Sequence, residues 1–226
     1  DSTPFYGEGG GQVGDTGVLE AEGVSVDVVD TTKHEGVYLH RAVVSEGTLN
    51  VGDTLTAKVD EHRRTAIMRN HTAAHLLQAA LRKVLGSHVE QAGQLVNERH
   101  VRFDFTHFSA LTPEELLQVE NLVNQEIVKA VPVSVQEMGI EEARLSGAMA
   151  LFGEKYGDVV RVVSVEDGFS KELCGGTHMD NTARLGLFKI LSESSVASGV
   201  RRIEGVTAMG VLDLLSVQMA TLRDSA

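Results

Sequence analysis

Two kinds of periodicity divide the chain. Over residues 17–60, apolar and polar positions alternate: Val24, Val26 and Val28 are separated by Ser25 and Asp27, and a second run covers 38–44. Glu46-Gly47 and Asn50-Val51-Gly52-Asp53 punctuate these runs. A period of two is the mark of half-buried strands, and short strands at this spacing predict a small antiparallel β-barrel. Beyond it, a Leu- and Ala-rich run behind His75 ends at Gly86, which predicts a helix over about 68–85 with Asn70 as a candidate N-cap. Strands are expected at 88–96 and 101–105, turning at Asn97-Glu98. Thr112-Pro113-Glu114-Glu115 carries an N-cap, a first-turn proline and a capping-box glutamate. Leu116, Val119, Leu122, Val123 and Ile127 supply the apolar stripe of that helix.

Further along, 131–135 reads as an edge strand because Pro132 cannot donate within a central one. A short helix at 140–149 precedes Gly153, and 159–165 has the unbroken apolar character of a buried strand. Strands at 187–193 and 201–207 follow, the latter closing the sheet, and 208–223 is helical in pattern. The expected class is α+β: a small N-terminal antiparallel β-barrel (1–63), an α+β domain with helices on an antiparallel sheet (64–207), and the start of a C-terminal helix (208–226).

Composition narrows the function classes. No apolar run approaches the ~20 residues needed to span a bilayer, and the N-terminus lacks a basic-then-apolar signal pattern. A single cysteine cannot form an internal disulfide, which fits a reducing compartment. The 20 Lys and Arg against 32 Asp and Glu give a formal charge of −12, which argues against a sequence-independent nucleic-acid coat. Local phosphate contact is still open to Arg63-Arg64, Arg69, Arg82-Lys83, Arg99, Arg102 and Arg201-Arg202; the alternative is that these are scattered, solvated charges. The chain starts with Asp and stops within a helical pattern, so it is expected to be a piece of a longer protein.

The chemistry concentrates in two pairs. His71 and His75 are four residues apart and lie on one helix face. Cys174-Gly175-Gly176-Thr177-His178 brings the one cysteine close to a third histidine. A thiolate and three imidazoles are a usual tetrahedral zinc set, and a catalytic site often keeps three protein ligands and one open place. Each pair alone has a plainer reading, as core or surface histidines and a small buried thiol; together they make zinc the leading cofactor. Thr72 stands where a zinc peptidase needs its glutamate base, so that class is disfavoured. The glycine-rich stretch 7–17 lacks the Lys-Ser/Thr ending of a P-loop, and no helix pattern follows it.

Taken together and in order, these motifs resemble the editing region of bacterial alanyl-tRNA synthetase, and through it the free-standing alanyl-tRNA editing proteins. The resemblance rests on the glycine-rich lead-in 5–17, His71-Thr72-Ala73-Ala74-His75, Gly93-Gln94-Leu95-Val96 with Val101-Arg102-Phe103-Asp104-Phe105, Cys174-Gly175-Gly176-Thr177-His178, and 198–204. The histidine pair and the Cys-x-x-x-His spacing are also similar to the threonyl-tRNA synthetase editing domain. The resemblance implies hydrolysis of seryl and glycyl esters of tRNA(Ala) by a cytoplasmic aminoacyl-tRNA deacylase whose parent is an alanine–tRNA ligase. It implies zinc on His71, His75, Cys174 and His178; Cys174, which follows a strand and precedes two glycines, is expected to be the loose ligand. It implies a catalytic place for Gln91, which matches a glutamine associated with editing. Thr72 and Thr177 offer hydroxyls beside ligands, for substrate or for local capping. Gly10, Gly11 and Gln12 are expected near the terminal adenosine, and Arg69, Arg102, Arg201 and Arg202 near phosphate. The implied partners are seryl- or glycyl-tRNA(Ala) and the aminoacylation and C-terminal domains of the synthetase, with no membrane and no DNA. Two alternatives stand beside this: a free-standing trans-editing deacylase, and a zinc-stabilised tRNA-binding module without its own activity.

Overall fold

The computed structural model describes residues 2–150 and 157–224. Four antiparallel strands come first: β1 (Gly17–Ala21), β2 (Val24–His34), β3 (Val37–Glu46) and β4 (Thr56–Val59), in the order β3-β2-β1-β4. The alternation is real, with Val26 and Val28 buried and Asp27 and Val29 exposed. The barrel, however, is not closed. β3 and β4 are the two edges and do not pair. Alternation specifies which face of a strand is buried, whereas closure depends on edge pairing and shear, which it does not encode.

Helix α1 (Glu61–Leu85) follows at once and starts earlier than the apolar pattern predicts. Asp60 is the N-cap and accepts from Arg63 N, while Glu61 lies in the first turn and Arg82 and Lys83 in the last, as the helix dipole favours. Asn70 is therefore interior rather than a cap. Its amide donates to Asn97 O at 2.8 Å and its carbonyl oxygen accepts from Thr207 Oγ1 at 2.8 Å, satisfying a buried polar group. From Asn70 to Leu81 every residue of α1 is buried, so this stretch is enclosed on all sides rather than amphipathic. The helix stops at Gly86, whose φ of 117° suits a residue without Cβ.

α1 lies on a sheet made of β5 (Gln91–Val96), β6 (Val101–Thr106), β10 (Phe188–Ala197) and β11 (Val200–Thr207), in the order β10-β11-β6-β5. β11 runs inside this sheet, between β10 and β6, rather than closing it. Val101, Phe103 and Phe105 alternate inward along β6 and pack with Ile203, Phe188 and the buried leucines of α1. Helix α2 (Pro113–Val128) completes the layer, with both hydrogen bonds of the Thr112/Glu115 capping box formed.

The third sheet, β7 (Val133–Gly139), β8 (Val159–Val165) and β9 (Lys171–Leu173), has β8 at its centre and β7 at an edge just past Pro132. Val163 and Val165 join the main core, whereas Val160 and Val162 pack with Leu173 and Ala143 of the short helix α3 (Ile140–Leu145). β8 is thus buried on both faces, as an unbroken apolar run requires. The helix expected over 140–149 ends at Leu145, with Ser146 as its C-cap, and Gly153 lies outside the described residues. Helix α4 (Met209–Asp224) ends the described chain with most of its apolar side chains exposed.

Candidate functional site

The loop from Cys174 to His178 leaves β9 and passes over the buried middle of α1. Cys174 N still donates to Arg161 O at 2.9 Å, which extends the β8–β9 ladder by one residue and aims the thiol at the helix. Arg161 then braces the loop from below, donating to the Cys174 carbonyl at 3.2 Å and to the Gly176 carbonyl. Gly176 is required here by space. A Cβ on it would collide with Cε1 and Nδ1 of the His71 ring and come 2.8 Å from Gln12 Oε1.

Four donors converge: one ligand atom each from His71, His75, Cys174 and His178, all within 4.8 Å of one another. Cys174 Sγ lies 3.5 Å from His71 Nε2 and 3.3 Å from His178 Nε2. Each histidine has its other nitrogen faced by a polar group. His71 Nδ1 bonds Gln12 Oε1 at 2.7 Å, His75 Nδ1 lies 3.3 Å from Glu172 Oε2, and His178 Nδ1 lies 3.5 Å from Thr72 Oγ1. His75 Nδ1 is close to that carboxylate but not aligned with it, and is left without a hydrogen bond. A nitrogen held by an outer acceptor leaves the inner nitrogen as the free lone pair, the arrangement in which histidine binds a metal. The donor set and its outer partners fit a metal ion.

The electrostatics point the same way. Burial works against the Cys174 thiolate, yet His71, His178 and His75 outweigh it and hold the thiol well below its ordinary range. Burial pushes His178 down to about 3, so its imidazole is neutral. For His75 burial also opposes charge, but Glu172 and the thiolate beside it draw it up to about 9. The pocket therefore favours a thiolate with compensating positive charge, which a divalent cation supplies more fully than a proton does.

The N-terminal glycine-rich segment forms the other wall. Gly9 and Gln12 exchange backbone hydrogen bonds at 3.1 and 3.0 Å across Gly10 and Gly11, whose φ values of 55° and 80° mark a type I′ turn. Val96 N donates to Gly11 O at 2.8 Å and Val13 N to Val96 O at 3.1 Å, which docks this turn on the end of β5. Arg64 Nε reaches both oxygens of the buried Asp15 at 2.9 Å, and Arg63 Nη1 donates to Gly14 O at 2.7 Å. The segment is thereby clamped to α1. Between it and the metal cluster lies a cavity of about 370 Å³ lined by residues that include Tyr6, Gly10, His71, Gln94 and Cys174.

The remaining expected residues fall in different places. Gln12 is fully buried, and its amide also bonds Thr177, accepting from the backbone N at 2.8 Å and donating to Oγ1 at 2.9 Å. Thr72 Oγ1 donates to Met68 O at 2.8 Å and accepts from Met179 N at 3.0 Å. Gln91 opens β5 opposite Phe105, with a bulge between it and Gly93, and does not line the cavity. Gln94 does: its Nε2 donates to Gly10 O at 2.7 Å and lies 3.4 Å from His71 Nε2. Arg201 is engaged by Glu193 and Arg202 by Asp104, each through two nitrogens, and Arg69 Nε donates to Arg184 O at 2.9 Å. Arg102 Nε is buried without a partner among the described residues. Glu172, Arg161 and Gln94 were given no role by the sequence reading. The only available signal for Gln94 was its place in the Gly93-Gln94-Leu95-Val96 run, and Glu172 and Arg161 gave none, because their roles depend on β8–β9 pairing.

Comparison with known proteins decides the family. Residues 160–204 match the model of the threonyl and alanyl tRNA synthetase second additional domain, and residues 1–63 match that of the class II (A) tRNA synthetases. Over its full length the chain is 57% identical to an alanine–tRNA ligase of Acetivibrio thermocellus, 52% to that of Bacillus subtilis and 53% to alanine–tRNA ligase 1 of Lachnoclostridium phytofermentans. The chain belongs to the bacterial alanyl-tRNA synthetases, in their editing region. It spans 26% of the length of each of these relatives. The N-terminal match ends in the first turn of α1 and the second begins in β8, and the four-donor cluster draws its outer support from both: Gln12 lies in one match and Glu172 in the other. No described helix is long and apolar enough to cross a membrane.

Proposed function

We propose that this chain hydrolyses the ester that joins serine or glycine to tRNA(Ala), in the cytoplasm and as part of an alanine–tRNA ligase. The observation that carries the reading is the single cavity shared by the metal cluster and the glycine-rich turn. His71 and Cys174 line it on one side and Gly9 and Gly10 on the other, with Gln94 between them in the lining. His71, His75, Cys174 and His178 would hold zinc. Bound there, zinc supplies Lewis acidity toward a carbonyl oxygen or a water.

The chain's own residues do the rest. Gln12 and Glu172 orient His71 and His75. Thr72 fixes the start of the segment behind His178 through Met179 N. Cys174, half-buried on the cavity wall while the three histidines are buried, is the donor best placed to yield a position to substrate. Tyr6 keeps its phenol protonated, since burial pushes its pKa up, and donates to Gly9 O at 2.9 Å. Gln94 is tied to the turn by Nε2, and its amide oxygen, with no hydrogen bond among the described residues, can accept from a seryl hydroxyl or amine.

The selectivity follows from a general asymmetry. An apolar pocket sized for a methyl group discriminates poorly against hydrogen or against an added hydroxyl, so a synthetic site charges these errors. A polar second site that hydrogen-bonds the hydroxyl can reject the methyl side chain by a much larger factor, while glycine leaves room for a water to take the hydroxyl's place on the same polar groups. The test is hydrolysis of seryl-tRNA(Ala) and alanyl-tRNA(Ala) by the purified chain beside Cys174→Ala. Preferential loss of the seryl ester, abolished in a folded variant, supports the reading; equal hydrolysis of both esters, or none by the metal-loaded chain, refutes it.

A further inference from the structure

The mouth of the cavity carries two side chains that neither the metal cluster nor the glycine-rich turn uses. Lys33 and Tyr38 face each other across the β2–β3 hairpin as directly paired residues, and both line the same cavity as His71 and Cys174. The Lys33 ammonium sits 5.0 Å from the centre of the Tyr38 ring. Tyr38 is 41% exposed, and Lys33 makes no ion pair among the described residues.

The pair is firmly placed. The hairpin tip is Glu35-Gly36, with φ of 49° and 84°, the two-residue type I′ turn that locks register. The glycine-rich segment lies directly on β2: Glu8 N donates to Thr31 O at 2.9 Å, and a Cβ on Gly7 would come within 3.1 Å of Lys33 Cβ. On the same face of the hairpin, His40 is packed edge-on by Phe5 at 5.1 Å and bonded by Thr3 Oγ1 at 2.9 Å. Tyr38 is thus the open end of a braced face, next to the half-buried His40.

We infer that Lys33 and Tyr38 form the subsite for the terminal nucleotide of the RNA, the base stacking on the Tyr38 ring and the 5′-phosphate drawn to Lys33. The inference rests on the deacylase reading above, which puts an ester-linked ribose at the metal cluster and therefore a base and a phosphate at the cavity mouth. Aromatic faces take single-stranded bases in this way, and an ammonium provides the phosphate attraction. Glu8 lines the same cavity and disfavours phosphate on its own side, which leaves the Lys33 side as the electrostatically preferred path.

The test uses the zinc-loaded chain and a non-hydrolysable probe, 3′-L-serylamino-3′-deoxyadenosine 5′-phosphate, with affinity read by calorimetry. Tyr38→Leu, which keeps apolar bulk without the π-face, is expected to weaken binding by about tenfold or more, and Tyr38→Phe to retain it. Lys33→Met is expected to weaken the phosphorylated probe while leaving the same probe without its 5′-phosphate at wild-type affinity. If wild-type chain hydrolyses seryl-tRNA(Ala) but Tyr38→Leu and Lys33→Met bind the probe as tightly as wild type, the subsite is wrong and the deacylase reading stands. If wild-type chain neither hydrolyses the ester nor binds the probe, both fall together.

Discussion

Gly176 is the position where one methyl group decides whether the site can exist. Its hypothetical Cβ meets the His71 ring and Gln12 Oε1, neither of which has room to withdraw without giving up the hydrogen bond between them. Gly176→Ala is therefore expected to lower zinc affinity by an order of magnitude or more, as loss of an outer partner of a ligand typically does. Zinc competition with a chromogenic chelator measures this; unchanged affinity would mean that the loop relaxes freely. At the same scale, the four side chains that converge as a possible metal site were legible in the sequence because both pairs have fixed local spacing. The outer partners were not: Gln12 and His71 are 59 positions apart, and nothing local in either segment reports their contact.

At the scale of elements, α2 was legible almost to its ends. Its capping box, first-turn proline and apolar stripe agree with one another, and all concern neighbours within one helix. The start of α1 was harder to read, because its first turn is charged and half exposed and only the Asp60 cap marks it. α2 also carries a liability. Glu126 is buried, with Oε1 accepting from Lys129 at 2.6 Å and Oε2 without a hydrogen bond among the described residues. Burial outweighs Lys129 and raises its pKa. A carboxyl whose folded pKa is raised stabilises the fold below its unfolded pKa and loses that contribution as pH rises through the folded value. Glu126→Gln removes this dependence. Urea midpoints at pH 4 and pH 7.5 are expected to show the variant gaining on wild type at the higher pH, and a constant difference would contradict the assignment.

The whole molecule depends on joining two segments that match different family models. The glycine-rich turn reaches the cluster only because Arg63 and Arg64 of α1 clamp the 14–15 region and β5 pairs with residues 11–13. Alternation predicted strands over 17–60 but could not distinguish an open sheet from a barrel, since that depends on whether β3 and β4 meet. Arg64→Met leaves the buried Asp15 carboxylate without its charge partner, and such a loss commonly costs about 3–5 kcal/mol. The variant is expected to melt at a lower temperature by calorimetry. Within its folded range it should bind zinc but hydrolyse seryl-tRNA(Ala) far more slowly, since the cavity wall is loosened while the four donors remain. Wild-type turnover in this variant would show that the clamp has no part in the site.

The central claim is that one metal-bearing cavity, built jointly by α1, the 174–178 loop and the glycine-rich turn, carries the hydrolysis. The most direct measurement is the initial rate of seryl-tRNA(Ala) deacylation by the chain as purified with zinc, after stripping with chelator, and after titration of zinc back. The account predicts that activity disappears on stripping and returns linearly to a plateau at one equivalent, with circular dichroism showing a folded chain throughout. Full activity from a folded, metal-free chain would contradict it.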